Sequence, residues 1–381
     1  MTAQPSATEV PFYGIGTTTA HDARHAVDEL REQLPTHDLS GILFFCSSQY
    51  DLEKLGREIQ GAFPCPVVGC TSSGQIGPKG FQKCGIAALG FRRNVVQLEP
   101  HLISPLGACE DLVVPLASKV APAQTGARVF GLILVDGLAL MEERLAAALY
   151  RSVGDVPIIG GSAGDDLKFE RTAVYHEGRF QSDAALFVVC RTARRFTAFK
   201  LQHFIPSETL LVITAAEPRT RTVKEINGEP AVRAYSRAIG VQVSELDANV
   251  FSAHPLVLEL GGDAYVRSIA RANADGSLTM FCAIDEGLVL SAARSLDPAK
   301  CFERALDNVA HQIGPPELVI GCDCILRRLE LEHRGLDGQL GQLLSRHRVF
   351  GFSTYGEQFN AVHVNQTFTG VALGADDARA K

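Results

Sequence analysis

Residues Pro157-Ile-Ile-Gly-Gly-Ser-Ala-Gly164 join a short apolar run to a glycine-rich loop. A second apolar run, Val129-Phe-Gly-Leu-Ile-Leu-Val135, lies upstream, and the interval from Leu132 to Gly160 is 28 residues. The stretch between the two runs has apolar residues at helical spacing, namely Met141, Leu145, Ala148 and Leu149. Because a strand-helix-strand unit occupies about 30 residues, the pattern predicts two strands joined by a helix.

The same pattern occurs twice more in the chain. One copy runs from the strand at 41–46 to the loop at 69–74, and the other runs from the strand at 318–324 to the loop at 351–356. Each copy is followed by a further apolar run, so segments 43–91, 132–190 and 318–373 are predicted to be related units. Ligands commonly bind at strand ends of open α/β sheets. The predicted ligand loops are therefore marked by their glycines, Gly69, Gly74, Gly160, Gly164, Gly351 and Gly356.

The region between the second and third copies has a different pattern. Short alternating segments from His254 to Ile284 are separated by glycine-containing turns, which is typical of an antiparallel meander. We therefore predict an α/β protein of two domains with mixed sheets. The first domain spans 35–230, and the second, with the meander and the third copy, spans 231–375.

Composition excludes several classes of protein. With 36 basic and 43 acidic residues the formal net charge is −7, so no general attraction to nucleic acid or anionic lipid is expected. Ten cysteines in 381 residues are too sparse for a disulfide scaffold and are expected to be reduced thiols. The sequence has neither a signal-peptide pattern at 1–11 nor an apolar run long enough for a membrane span. The expected location is the cytoplasm.

The loop Gly160-Gly-Ser-Ala-Gly164 matches the G-x-S-x-G nucleophile elbow of hydrolases. That elbow requires a following helix, and residues 165–180 contain no helical pattern. The two equivalent loops also lack the serine pattern. A structural turn is therefore the favoured interpretation, and a hydrolase using Ser162 is kept as a remote alternative.

Three histidines lie in apolar surroundings, His203 within 199–206, His254 within 251–257 and His363 within 362–366. A histidine in such a place is usually a hydrogen-bonded core residue. Three of them in one chain also make a metal or haem-iron ligand a hypothesis to test.

Several segments resemble the FIST (F-box and intracellular signal transduction) family. Residues 157–166 and 227–231 resemble its N-terminal domain, and 351–357 with 365–367 resemble its C-terminal domain. More narrowly, five segments resemble the stand-alone bacterial subgroup called NosP; they lie at 202–204, 253–256, 281–287, 321–328 and 363–367.

The resemblance implies a sensory protein and not an enzyme. NosP proteins are described as haem-binding nitric oxide sensors that act in trans on a histidine kinase or on a cyclic-di-GMP enzyme, a diguanylate cyclase or phosphodiesterase. The implied cofactor is haem b. The axial ligand is expected to be His203, which lies in the subgroup segment Gln202-His-Phe204, with His254 and His363 as the next candidates.

A second hypothesis is a FIST sensor of a small polar metabolite such as an amino acid, without haem. Its polar contacts would come from the glycine loops and from Arg267, Asp285 or Glu357. Because signalling proteins of this size often form symmetric dimers, a homodimer is expected, although nothing in the sequence locates its interface.

Overall fold

The strand-helix-strand unit predicted from the sequence occurs three times, each time at the centre of a six-stranded sheet. The computed structural model describes residues 11–93, 95–121, 127–260 and 262–376. The first unit consists of β1 (Tyr13–Thr18), α1 (Ala23–Gln33), β2 (Leu39–Ser47), α2 (Leu52–Ala62), β3 (Val67–Ser72), β4 (Gln75–Gly77), β5 (Gly80–Gln82) and β6 (Ile86–Arg92).

The second unit repeats this order with a shorter helical segment at its start. It consists of β7 (Val96–Ile103), α3 (Cys109–Leu112), α4 (Leu116–Lys119), β8 (Arg128–Val135), α5 (Glu142–Val153), β9 (Ile158–Ser162), β10 (Val174–His176), β11 (Arg179–Gln181) and β12 (Ala185–Thr192).

The third unit is interrupted after its first strand, β13 (Arg194–Leu201), by an inserted antiparallel sheet. The insert consists of β14 (Phe204–Glu217), β15 (Thr222–Ile226), β16 (Glu229–Pro230), α6 (Ala231–Ile239), α7 (Ala248–Ala253), β17 (Leu256–Leu260), β18 (Asp263–Arg267), β19 (Ile269–Ala272), β20 (Leu278–Met280) and β21 (Val289–Ser295). The unit then continues with α8 (Pro298–Ile313), β22 (Leu318–Cys324), α9 (Ile325–His333), α10 (Asp337–Arg346), β23 (Val349–Thr354), β24 (Glu357–Phe359), β25 (Val362–Val364) and β26 (Phe368–Asp376).

Local sequence accounts for the helix boundaries. The Asp22 side chain accepts a hydrogen bond from the backbone of α1, and Asp51 does the same for α2. Asp297 caps α8, which has proline at its first position and ends at Gly314. Helix α5 has no capping side chain, but Glu142 and Glu143 lie in its first turn, where the helix dipole favours negative charge.

The central strands have equivalent registers in the three sheets. The pairs β2/β3, β8/β9 and β22/β23 are parallel, and Gly69, Gly160 and Gly351 occupy the same position in each second strand. A Cβ at these three positions would lie 2.3, 1.9 and 1.9 Å from a carbonyl oxygen of the adjacent strand. Glycine is therefore required there by close packing of backbones. This common register confirms the predicted internal repeat.

The hairpin that follows each glycine loop completes the sheet of a different unit. Strands β4–β5 of the first unit pair with β23 of the third, and β10–β11 of the second pair with β3 of the first. Strands β24–β25 of the third unit pair with β9 of the second. The predicted segments 35–230 and 231–375 therefore share their sheets, because β4 and β9 both pair with strands beyond residue 231.

A common core lies between the three sheets and contains buried residues from all three units. Phe45 of β2 stacks on Phe352 of β23 with ring centroids 4.0 Å apart. The inserted sheet has its own core, in which Tyr235 of α6 and Phe251 of α7 are fully buried. The meander predicted from the sequence is part of this insert. Among the described residues no helix combines the length and apolar character that crossing a membrane requires.

Candidate functional site

The three glycine loops contact one another through backbone hydrogen bonds. The amide of Gly164 donates to the carbonyl of Thr71 at 3.2 Å, and the amide of Ser353 donates to the carbonyl of Gly74 at 2.8 Å. The amide of Ser162 donates to the carbonyl of Gly356 at 2.8 Å, which joins the second loop to the third. The predicted loops therefore lie at equivalent strand ends, as expected. Much of their backbone is already hydrogen-bonded to the neighbouring loops.

Each loop ends in a glycine followed by a buried polar residue: Gln75, Asp165 or Glu357. Glu357 accepts hydrogen bonds from the Thr367 amide at 3.1 Å and the Thr367 hydroxyl at 2.7 Å. Burial nevertheless raises the pKa of Glu357 to about 8, because these bonds only partly offset desolvation of the carboxylate. Glu357 therefore carries a proton near neutral pH.

His203 is fully buried, and both of its ring nitrogens contact charged side chains. Nε2 lies 2.5 Å from Glu330 Oε2, and Nδ1 lies 3.0 Å from an Arg327 guanidinium nitrogen. Because a guanidinium only donates, Nδ1 must accept and the imidazole proton is on Nε2. Burial lowers the pKa of His203, although the Glu330 carboxylate opposes this, so the ring is neutral.

This arrangement does not fit an axial haem ligand at His203. An iron-ligating nitrogen must present a free lone pair, and the lone pair of His203 is used by Arg327. Displacing Arg327 would expose its charge, and that of Asp323 at 2.7 Å, to a low-dielectric core. The expected leading role of His203 is therefore not supported by its contacts.

His254 has a different environment. It is partly buried directly after α7, and its carbonyl accepts a hydrogen bond from the Tyr235 hydroxyl at 2.7 Å. Within the described part of the chain, its ring nitrogens have no hydrogen-bond partner. Burial lowers the pKa of His254, against a smaller raising effect of the Glu330 carboxylate, so the imidazole is neutral and able to bind a metal.

His363 belongs to a buried polar cluster at the loop junction. Its Nδ1 lies 3.2 Å from Gln358 Nε2, and its Nε2 lies 3.4 Å from Asn365 Nδ2. Gln358 Nε2 also donates to Ser162 Oγ at 3.2 Å, and Ser162 Oγ donates to Glu142 at 3.4 Å. The cluster brings together two predicted residues, His363 and Ser162.

A buried ion pair ties this cluster to the inserted sheet. The guanidinium of Arg221, between β14 and β15, lies 2.7 Å from Glu142 and 2.6 Å from Glu143. The same guanidinium donates to the carbonyl of Phe281. Burial lowers the pKa of Arg221, but the two carboxylates more than compensate and raise it overall. These two ion pairs thus connect the inserted sheet to the first turn of α5.

Of the proposed metabolite contacts, Glu357 lies with His363 on the paired strands β24 and β25 at the loop junction. Asp285 is exposed, whereas Glu357 is fully buried at the loop junction. Arg267 lies on β18 of the insert, and its buried Nε atom has no hydrogen-bond partner among the described residues. In the described ranges, no group of three or more histidine, cysteine, aspartate or glutamate side chains is arranged to hold a metal ion.

Comparison with known proteins identifies the family. The family model of the FIST N domain matches residues 40–229, and that of the FIST C domain matches residues 231–360. The chain belongs to the FIST family. FIST domains are sensory domains of signal transduction, and not catalytic domains.

Two further comparisons are more distant. An uncharacterized protein of Methanocaldococcus jannaschii is 22% identical to this FIST protein over 209 residues, which cover 51% of this chain and only 40% of the archaeal protein. A solved structure of cyanuric acid hydrolase aligns over 96% of this chain and 100% of its own, with a TM-score of 0.33 and 8% identity. A TM-score this low supports no conclusion about activity.

The sequence did not reveal the charged partners of these histidines. Glu330 and Arg327 contact His203 from positions 127 and 124 residues away. The only local signal was the spacing of Asp323 and Arg327, four residues apart in a strand-to-helix junction. The pair Glu142-Glu143 gives no sequence signal either, because acidic residues are common in the first turn of a helix.

Proposed function

We propose that this FIST protein is a cytoplasmic nitric oxide sensor that binds haem b. In this proposal it acts in trans, as a homodimer, on a histidine kinase or on a diguanylate cyclase or phosphodiesterase. The support from the sequence is the resemblance of five separate segments to the NosP subgroup, including Ala253-His-Pro-Leu256 and His363-Val-Asn-Gln-Thr367.

One structural observation carries the choice of ligand. Among the three candidate histidines, His203 and His363 have both ring nitrogens within hydrogen-bond distance of other side chains, whereas His254 has no such contact in the described part of the chain. We therefore assign the axial role to His254. Haem held by a neutral imidazole would supply a ferrous iron that binds nitric oxide.

The chain itself positions this imidazole. Tyr235 fixes the backbone of His254, and Gln366 binds the carbonyl of Ser252 in α7 at 2.6 Å. Helix α7 packs against α9, which carries Glu330. A displacement of His254 would therefore move α7 relative to α9. Such a displacement transmits a signal only if a partner binds the two arrangements with different affinity.

The test is haem titration of the purified protein and its alanine variants. We expect a strong Soret band in wild type, a shift of the ferrous spectrum with nitric oxide, and loss of about tenfold or more in haem affinity for His254→Ala, because a metal ligand is removed. The matched control is His347→Ala, which should bind haem like wild type. Equal haem affinity of His254→Ala and wild type would contradict the ligand assignment.

Two further outcomes test the rest of the proposal. Absence of haem binding by wild type would contradict the gas-sensing function, and a light-scattering mass of one chain would contradict the homodimer.

A second candidate function is sensing of a small polar metabolite without haem. The observation in its favour is a group of fully buried polar atoms near the loop junction that have no partner in the described structure: Gln75 Oε1, Ser353 Oγ, Gln358 Oε1 and Asn365 Oδ1. Buried polar atoms in native proteins are rarely left unpaired unless water, an ion or a ligand completes them.

The hydrolase alternative has no comparable observation. Ser162 is fully buried, and its hydroxyl contacts Gln358 and Glu142 instead of an imidazole. A serine nucleophile needs an adjacent base and access to substrate.

A further inference from the structure

An open groove of about 970 Å³ lies between helix α2 and the hairpin strand β11. The helix reaches the turn of the hairpin at Gly56, where a Cβ would lie 2.4 Å from the Gly178 carbonyl oxygen. The helix and the hairpin are therefore held at a fixed distance by close packing at this point. The groove between them is part of the folded structure.

Three arginines from three different elements line this groove. Arg57 lies on α2, Arg179 on β11, and Arg171 in the loop before β10. Arg57 is paired with Glu53 at 2.5 Å, whereas Arg171 and Arg179 form no ion pair with another described residue. Glu177 is the second acidic residue of the lining. Three arginines against two glutamates make the groove positive, in a chain whose formal net charge is −7.

Strand β11 is the edge strand of its sheet. The turn that precedes it consists of Glu177 and Gly178, both with positive φ, which is the geometry of a two-residue hairpin loop. In such a hairpin the pair flanking the loop is hydrogen-bonded, and the next pair, Tyr175 and Phe180, is not. The N–H and C=O groups of Phe180 therefore point away from β10, toward the open edge of the sheet.

The equivalent edge of the second sheet is covered by the protein itself. There β25 and α5 take the places of β11 and α2, and strand β18 of the insert contacts β25. Arg221 of the insert binds Glu142 and Glu143 at the start of α5. In contrast, the principal contacts of β11 are with β10 and α2. The fold thus contains one helix–hairpin edge to which a further segment is held by charge, and it leaves the edge of the first sheet open.

We propose that the groove between α2 and β11 binds an extended acidic segment of a partner protein, which adds a strand to β11. The backbone of that segment bonds the N–H and C=O of Phe180. Because alternate side chains of a strand share one face, carboxylates at every second position meet Arg171 and Arg179. The inference rests on the proposed action in trans and names the surface that the partner contacts.

The experiment is fluorescence anisotropy with purified full-length protein and the rhodamine-labelled peptide Glu-Val-Glu-Val-Glu as the probe. We expect saturable binding that weakens as salt is added. The peptide Lys-Val-Lys-Val-Lys should not bind. Glu-Pro-Glu-Pro-Glu has the same charge but lacks two backbone N–H donors, so it should bind about tenfold more weakly or worse.

Two outcomes of this titration would overturn the proposal. They are a flat response to Glu-Val-Glu-Val-Glu and an equal affinity for the proline peptide, which would contradict strand addition. The titration requires neither haem nor nitric oxide. A failure here is therefore distinguishable from a failure of haem binding, which the Soret band reports.

A double variant locates the binding. Arg171→Gln/Arg179→Gln should reduce the affinity for Glu-Val-Glu-Val-Glu by about tenfold or more, because two charge-assisted contacts are lost. The matched control is Arg151→Gln/Arg304→Gln, which removes two exposed arginines of α5 and α8 and changes the net charge equally. The control should bind like wild type. An equal loss in both double variants would contradict the assigned location.

Gly61 allows the charge of the groove to be changed without disturbing the core. It lines the groove on α2, and a Cβ at this position would have nothing within 4 Å. Gly61→Lys and Gly61→Glu should therefore have similar Tm values and differ chiefly in charge. The peptide should bind Gly61→Lys about tenfold more tightly than Gly61→Glu. Equal affinities of these two variants would contradict binding of the acidic segment in this groove.

Discussion

Removal of the Arg221 side chain should destabilise the protein far more than removal of a surface arginine. The Arg221 and Glu142 side chains are only 5% and 3% exposed. Arg221→Met would leave the Glu142 carboxylate buried without its cation, and breaking such a pair costs about 3–5 kcal/mol. Glu143 contributes less, because it is 31% exposed and retains a bond from the Ala283 amide.

The matched control is Arg237→Met. Arg237 binds Glu229 through two bonds of 2.7 Å, yet both side chains are largely exposed. A surface pair of this kind contributes about 1 kcal/mol or less. The two pairs therefore have the same bond length of 2.7 Å and differ in burial.

The assay is equilibrium urea unfolding, followed by far-ultraviolet circular dichroism and tyrosine fluorescence, with coincident transitions required. The double variant Arg221→Met/Glu142→Gln should recover part of the loss, giving a coupling free energy of about 1–3 kcal/mol. A cost for Arg221→Met no larger than for Arg237→Met, or strictly additive effects in the double variant, would refute the proposed electrostatic link between insert and α5.

Two further predictions concern the loop junction. In urea unfolding, Gly160→Ala and Gly351→Ala should each destabilise the fold by about 3 kcal/mol or more, because the new Cβ would lie 1.9 Å from a carbonyl oxygen. The control Gly61→Ala in helix α2, where the new Cβ has nothing within 4 Å, should be neutral or stabilising. A neutral effect of the two strand substitutions would contradict the close packing of the parallel strands. Burial raises the pKa of Glu357 from 4.5 to about 8, so its contribution to stability is complete below about pH 4.5 and is lost as the pH rises through 8. The urea concentration at the unfolding midpoint of wild type should therefore decrease as the pH is raised from about 5 to about 9, and it should decrease less in Glu357→Gln. Equal pH dependence of the two proteins would rule out a protonated Glu357.

The sequence was sufficient to predict the repeated unit because its signals are local. Apolar runs, helical spacing and glycine loops recur within about 30 residues, and Gly69, Gly160 and Gly351 occupy the same position in each parallel pair. The strand with which each hairpin pairs could not be predicted from these local signals. Strand β4 has the same residue pattern whether it pairs with β3 of its own unit or with β23 of the third.

The candidate site was predicted only in part, for a similar reason. An apolar neighbourhood correctly indicated that His203 and His363 are buried, but it could not distinguish a metal ligand from a hydrogen-bonded core residue. That distinction depends on Glu330 and Arg327, which helix α9 places beside His203, and on Asn365 and Gln358 beside His363. Such long-range partners follow from the tertiary structure and not from spacing.

The exchange of hairpins between units has a consequence for biosynthesis. The hairpin β4–β5 emerges early, but its partner β23 belongs to the third unit; Ser345, next to that strand, bonds Pro78 in the hairpin across 267 residues of chain. At translation rates of about 5–20 residues per second, the first hairpin waits roughly 13–50 s for its sheet. During that interval the apolar side chain of Ile76, fully buried in the finished molecule, has no sheet of its own to cover it. The hairpin therefore keeps an uncovered apolar side chain until the third unit has been synthesised, a condition that favours aggregation of the nascent chain.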